Sequence, residues 1–200
     1  MKTNGTNLEE FKVFTLTPDR WQDFETLFGE HGAYGNCWCM FWRMKRSEFM
    51  KMTGEEKKAA MVDLVNSGVV PGVMLYEKDQ PIGWCSIDRR ETLYPLERST
   101  TLKRIDDQPV WSIVCFFVKR GYRKQGLMKI LVRGAVDHAR DHGARIVEAY
   151  PTDLQMVTMA GKHLTGYHGY MGIASTFRKS GFVEIGRPNE YQVIMRYTIQ

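Results

Sequence analysis

The sequence predicts an α/β domain in which helices flank a mixed β-sheet, and three stretches carry that prediction. Val69–Glu77 and Ile82–Asp88, joined by the turn Lys78-Asp79-Gln80-Pro81, read as an antiparallel hairpin. The near-continuous apolar run Trp111–Val118 reads as a central strand buried on both faces, and a basic loop and a long amphipathic helix follow it. Phe182–Gly186 and Tyr191–Tyr197 read as a closing hairpin. Hairpins combined with a strand–loop–helix unit give a sheet of mixed direction.

The remaining elements follow in chain order. Glu10–Thr17 alternates as a first strand. Thr17-Pro18 opens a helix, with a hydroxyl at the N-cap and a proline in the first turn, where its missing donor costs nothing. Trp21, Phe24, Leu27 and Phe28 give that helix its apolar face, and Gly29–Gly32 ends it. Thr53 and Glu56 form a capping box for a second helix, which Gly68 closes. In the long helix from Gly126 to His142, Leu127, Ile130, Leu131, Gly134 and His138 share one face, and Gly143 supplies the C-cap. Arg145–Tyr150 is the next strand. Pro151–Gly172 reads as a long loop, a length that in a compact domain usually marks function. A short helix ends at Ser180-Gly181.

With 200 residues, 43% of them hydrophobic and 26% charged, the chain reads as a single domain over 1–200. A chain of this size buries roughly 70% of its unfolded surface. No apolar run approaches the ~20 residues of a membrane span. Met1–Glu10 lacks the apolar stretch of a secretory signal, so the expected location is cytoplasmic, with no membrane partner. The net charge of +5 is spread along the chain without a basic stripe. That argues against a nucleic-acid partner and suits a polyanionic small molecule.

Cys37, Cys39, Cys85 and Cys115 are too few and too irregularly placed for a disulfide scaffold. Cys37 and Cys39 with His31 offer three ligands where structural zinc takes four, so no metal is expected. An acyl-carrying Cys115 would need an activating His or cation, and none is adjacent in sequence. Trp38, Phe41 and Trp42 form either a lid over the core or, with Arg43, the lining for a flat or apolar acceptor bearing an acidic group.

The stretch from Phe116, Phe117 and Val118 through Arg123, Lys124, Gln125, Gly126, Leu127 and Met128 concentrates the chemistry. A buried strand there feeds a glycine-punctuated turn that opens a helix, so unpaired backbone N–H groups converge with the positive end of the helix dipole. Gly126 lets a phosphate approach the backbone, and Arg120, Arg123, Lys124 and Lys129 supply countercharge. The loop lacks the Gly-Lys-Ser/Thr ending of a Walker loop and the three-glycine dinucleotide spacing.

This unit resembles the acetyl-coenzyme A signature of the GNAT acetyltransferase superfamily, Arg/Gln-x-x-Gly-x-Gly/Ala after a strand ending in Val. Val118, Arg123 and Gly126 match the signature, and Met128 departs from its last position. Phe177-Arg178-Lys179-Ser180-Gly181-Phe182 resembles the superfamily's second helix motif, and the element order from Phe11 to Tyr197 resembles its whole domain. Cys37–Arg43, Leu96–Lys103 and Val110–Val118 resemble a bacterial subgroup of that superfamily.

The resemblance implies a splayed central sheet and acetyl-CoA as co-substrate. It also implies a primary amine acceptor, either small molecule or peptide, that attacks the thioester directly, and it leaves room for a homodimer. A backbone N–H near Phe117 or Val118 would stabilise the carbonyl oxygen. A protonated amine needs a base or a water chain. Glu148, mid-strand, is the first candidate base, beside Glu91, Glu97 and Asp88; its alternatives are solvent or a pair with Arg145. Phe177 stands where the superfamily often has a tyrosine acid, so Tyr170, then Tyr167, is the candidate acid. An acyl-CoA-binding sensor without turnover is the alternative from a different functional class.

Overall fold

The computed structural model describes residues 10–159, 161 and 169–200. Its strands are β1 (Phe11–Thr15), β2 (Gly72–Glu77), β3 (Gln80–Arg89), β4 (Trp111–Val118), β5 (Ile146–Ala149), β6 (Val183–Asn189) and β7 (Gln192–Thr198). They form one sheet in the order β1-β2-β3-β4-β5-β7-β6, and every neighbouring pair is antiparallel except β4–β5. The expected mixed sheet is therefore present, with the most apolar strand at its centre. The helices are α1 (Trp21–Phe28), α2 (Arg46–Phe49), α3 (Gly54–Asn66), α4 (Tyr94–Glu97), α5 (Met128–Asp141), α6 (Leu154–Met159) and α7 (Ala174–Arg178). Among the described residues, no helix is long and apolar enough to cross a membrane.

The sheet is covered on both faces. On one face, Leu131, Val132, Ala135 and Ala139 of α5 and Phe177 of α7 pack on Val73, Cys85, Ile113 and Phe116. Gly134 brings α5 against β1, because a Cβ there would lie 2.4 Å from Val13 Cγ1. On the other face, Phe24 and Phe28 of α1 and Met61 of α3 surround Met74, Trp84 and Trp38. A third cluster gathers Trp42, Leu93, Leu96, Val114, Tyr150 and Ile194. Trp38 belongs to the core, stacked on Phe28 at 5.9 Å.

Several local expectations shift. Pro18–Arg20 is one 3-10 turn and α1 begins at Trp21; the Thr17 hydroxyl caps no backbone group and instead accepts from Arg20 Nη1 at 3.0 Å. Pro71, which has no donor for a ladder, delays β2 to Gly72. The buried stripe of α5 is wider than expected and includes Val132, Ala135, Val136 and Ala139. Pro151–Gly172, expected as a loop, holds α6. The capping box of α3 forms as its sequence implies, with Glu56 N–H donating to Thr53 Oγ1 and Thr53 N–H to Glu56 Oε2.

Candidate active site

The site begins with a bulge. Ser86 of β3 faces Cys115 and Ile87 faces Ile113, so Val114 is an extra residue on β4. Bulges bend the strand that carries them. On its other side β4 pairs with β5 only at Trp111, Ser112 and Ile113, and Val114–Val118 diverge from β5. The splay that the resemblance implies is present. The Phe116 N–H points into it and donates to the Tyr170 carbonyl at 2.6 Å. Thr152, just past β5, donates to the Gly172 carbonyl at 3.0 Å and accepts from Ala174 N–H at 2.9 Å. The segment from Tyr170 to Ile173 thus spans the mouth of the gap.

Beyond β4, a single 3-10 turn (Arg120–Tyr122) leads into the loop before α5. Arg123 Nε donates to the Val118 carbonyl at 2.8 Å, and Gln125 Nε2 to the Gly121 carbonyl at 3.0 Å. Both side chains therefore hold the loop's shape. Lys124 and Gly126 have left-handed backbones, at φ 64° and 80°. Among the described residues, the N–H groups of Lys124, Gln125, Gly126, Leu127 and Met128 find no acceptor. A Cβ built on Gly126 meets nothing within 4 Å, so the chain is open on that side of Gly126. The donors and the helix start suit a pyrophosphate. Leu127 is buried and Met128 packs against the core, so their side chains anchor α5 and only their N–H groups are left unpaired. This accounts for Met128 where the signature has a small residue.

Glu148 sits elsewhere in the chemistry. Its carboxylate is 1% exposed and fully engaged: Oε1 accepts from Arg90 Nη1 (3.0 Å) and the Tyr150 hydroxyl (2.6 Å), and Oε2 from Arg196 Nε (2.8 Å). Arg196 also pairs with Asp106, whose carboxyl it draws down to about 2. Burial first, and then the Glu148 charge, push the Tyr150 phenol well above its ordinary range. A carboxylate pinned by two guanidinium groups can take an amine's proton only by breaking a buried ion pair. The geometry therefore argues against the expected base role, and also against pairing with Arg145. The network draws Arg90, Asp106, Glu148 and Arg196 from distant parts of the chain, and no local spacing announced it.

The other base candidates are also accounted for. Asp88 is buried against Arg43 at 2.6 Å, Glu97 pairs with Arg90 and Arg104, and Glu91 is exposed. Arg43 also donates to the Pro71 carbonyl at 2.8 Å, so its charge is spent inside the fold rather than on an acceptor's acidic group. Tyr170 lies beside the splay through its carbonyl, and its ring packs in the third cluster. Phe177 is buried against Phe116. Tyr167 lies outside the described residues. No group of three or more His, Cys, Asp and Glu among the described residues is arranged to hold a metal ion.

A central sheet splayed between β4 and β5, with unpaired N–H groups ahead of α5, is the architecture that the resemblance to acyl-CoA transferases implies. The sequence profile of the acetyltransferase (GNAT) family matches residues 38–163, well over half the chain, and the chain belongs to that family. Three solved structures resemble the fold. PaiA N-acetyltransferase from Thermoplasma acidophilum, in complex with coenzyme A, is 12% identical with a TM-score of 0.50, covering 94% of this chain and 99% of its own. The structure of yncA from Salmonella typhimurium with its cofactor acetyl-CoA is 11% identical with a TM-score of 0.51, covering 96% and 95%. The ribosomal-protein-S5-alanine acetyltransferase from Vibrio fischeri is 14% identical, also at 0.51, covering 96% and 95%. Identities this low speak to the fold alone. No curated protein matches the sequence.

Proposed function

We propose that this chain is a cytoplasmic N-acetyltransferase that moves the acetyl group of acetyl-CoA to a primary amine of a small-molecule or peptide acceptor by direct attack. The observation that carries the reading is the pairing of the β4–β5 splay with unpaired N–H groups from Lys124 to Met128. That PaiA and yncA share the fold and hold CoA or acetyl-CoA supports the ligand.

Acetyl-CoA, when bound, supplies the acetyl thioester. The N–H groups of 124–128 hold its pyrophosphate, with Lys124 and Lys129 adding charge. Phe116 N–H, on giving up the Tyr170 carbonyl, turns to the thioester oxygen and stabilises its developing charge. Tyr170 is the candidate acid for the departing thiolate, and the amine's proton leaves through water in the cleft. Thiol release measured with acetyl-CoA and a panel of amines tests the reading, and a named acceptor would confirm it.

Two observations favour a second reading, a sensor that binds acyl-CoA without turnover. The Phe116 donor is occupied by Tyr170, and Phe177 offers no proton. Saturable CoA binding with no thiol release from any amine would select the sensor.

A further inference from the structure

Lys57 lies in the first turn of α3, at the positive end of the helix dipole, where a cation is disfavoured. It is only 7% exposed, and lysines buried to that degree are almost always paired. The next residue obeys the rule, since Lys58 pairs with Glu25. Lys57 does not. Among the described residues its ammonium makes no ion pair and no hydrogen bond, and it stands over the Phe49 ring, 4.1 Å from the centroid. Glu56, one residue earlier, spends its carboxylate on the Thr53 N–H and hydroxyl. The Lys57 stem is enclosed, yet Nζ is not sealed from solvent.

From Phe49 the rings continue toward the splay. Phe49 meets Phe41 at 5.5 Å and Phe41 meets Trp42 at 5.1 Å, both edge-on. Trp42 lies in the cluster that holds Val114 of β4 and Tyr150 just past β5, and Phe41 and Tyr170 pack against it. β4 and β5 part beside those residues. Phe41, Phe49 and Tyr170 are each half-buried, so the run of rings keeps an open side. Trp42 Nε1 is a second buried donor on this run without a partner, and such donors are rare in folded chains. The segment that carries Phe41 and Trp42 is firmly held. Ala33, Asn36, Trp38 and Cys39 hold left-handed backbones there, a strain that persists only where packing over-determines it and that gathers at ligand sites. Asn36 also packs on the start of α3, where a Cβ on Gly54 would lie 3.0 Å from Asn36 Cβ, so Lys57 is fixed to the same segment.

We propose that Lys57 binds a carboxylate of the acceptor, whose apolar body lies along Phe49 and Phe41 and whose amine reaches the splay. The acceptor is then an elongated apolar amine with its carboxylate remote from the amine, as in an ω-amino acid or a short peptide. One ammonium suits one negative charge, and an ammonium against an aromatic face with little water around it gains more from a counterion than one in bulk water. The carboxylate supplies the partner that Lys57 lacks, a role closed to Arg43 by its bond to Asp88. That the carboxylate belongs to an amine rests on the acetyl-transfer reading; that it binds at Lys57 does not.

Calorimetric titration tests the site, with and without saturating CoA, on two matched pairs of probes. One pair is ω-aminooctanoate and octylamine, the other the dipeptide Phe-Phe and its C-terminal amide. In the wild type each carboxylate should bind about tenfold tighter than its partner. In Lys57→Met, which keeps an unbranched apolar stem on Phe49, that preference should vanish, and Lys57→Arg should restore part of it. The melting temperature of Lys57→Met should not fall, because an unpaired buried cation is removed. In thiol release with acetyl-CoA the same preference should appear in KM. The tighter of the two carboxylates identifies the source, amino acid or peptide. Equal binding within each pair, no binding of either carboxylate, or a preference that survives Lys57→Met overturns the proposal. Thiol release from no amine, with the binding preference intact, overturns the acetyl-transfer reading and leaves the carboxylate site standing.

Discussion

At the residue scale, Gly126 and Glu148 separate ligand binding from fold maintenance. Gly126→Glu places a carboxylate where free N–H groups await an anion. It also puts a side chain at φ 80°, at a cost of about 1–2 kcal/mol. Unpaired like-charge contacts cost several kcal/mol, so CoA affinity should fall by roughly two orders of magnitude while the domain stays folded. Calorimetric titration of the folded variant checks this, and unchanged affinity would remove the cofactor assignment. Glu148→Gln should instead cost about 3 kcal/mol of stability, because it strips the buried Arg90 of a charge partner. Urea unfolding reads that loss; a variant of normal stability that no longer transfers acetyl would restore Glu148 as the base. Gly126 was legible because its role is local, a helix start preceded by a turn. The Glu148 site was not, since Arg90 and Arg196 reach it from separations of 58 and 48 residues.

At the element scale, α5 couples the loop before it to the sheet, and its last turns contain a titratable group that packing keeps neutral. His138 is buried edge-on to Trp111 at 5.5 Å, and its Nε2 finds no partner among the described residues. Burial, then the neighbouring His142, lower it from 6.5 to about 4, with Asp88 and Asp141 pulling weakly the other way. Between those values the unfolded chain binds more protons than the folded one, so stability falls as pH drops from about 6.5 toward 4. Melting curves across that window should show the decline, and His138→Leu should flatten it; an unchanged slope would assign the acid sensitivity to other groups. The elements with strong periodicity or caps, such as β4, α3 and α5, could be read from the chain directly. α6 could not, because its run is only six residues long, although Asp153 just before Leu154 is a residue type that caps helices.

At the scale of the whole molecule, the sequence showed hairpins and the order of elements along the chain, but nothing local announces β7 inserted between β5 and β6 in the sheet. The proposed ligand would enter a gap in that sheet, so binding should act on global stability. CoA at about 100 times its dissociation constant should add about 2.7 kcal/mol. Thermal unfolding with and without CoA measures it, and no shift would count against a site in the splay.

The backbone seam between the β1–β4 half and the β5–β7–β6 half is only three residue pairs long. A sheet joined so narrowly has a built-in soft axis, like a panel hinged along a fraction of its edge. The ion pairs of Glu148 lie at that short join and stiffen it from the side, with Arg90 reaching across from beyond β3. Any molecule that bridges the open part of the seam works as a splice, and the bending stiffness of the domain becomes a property of what it has bound.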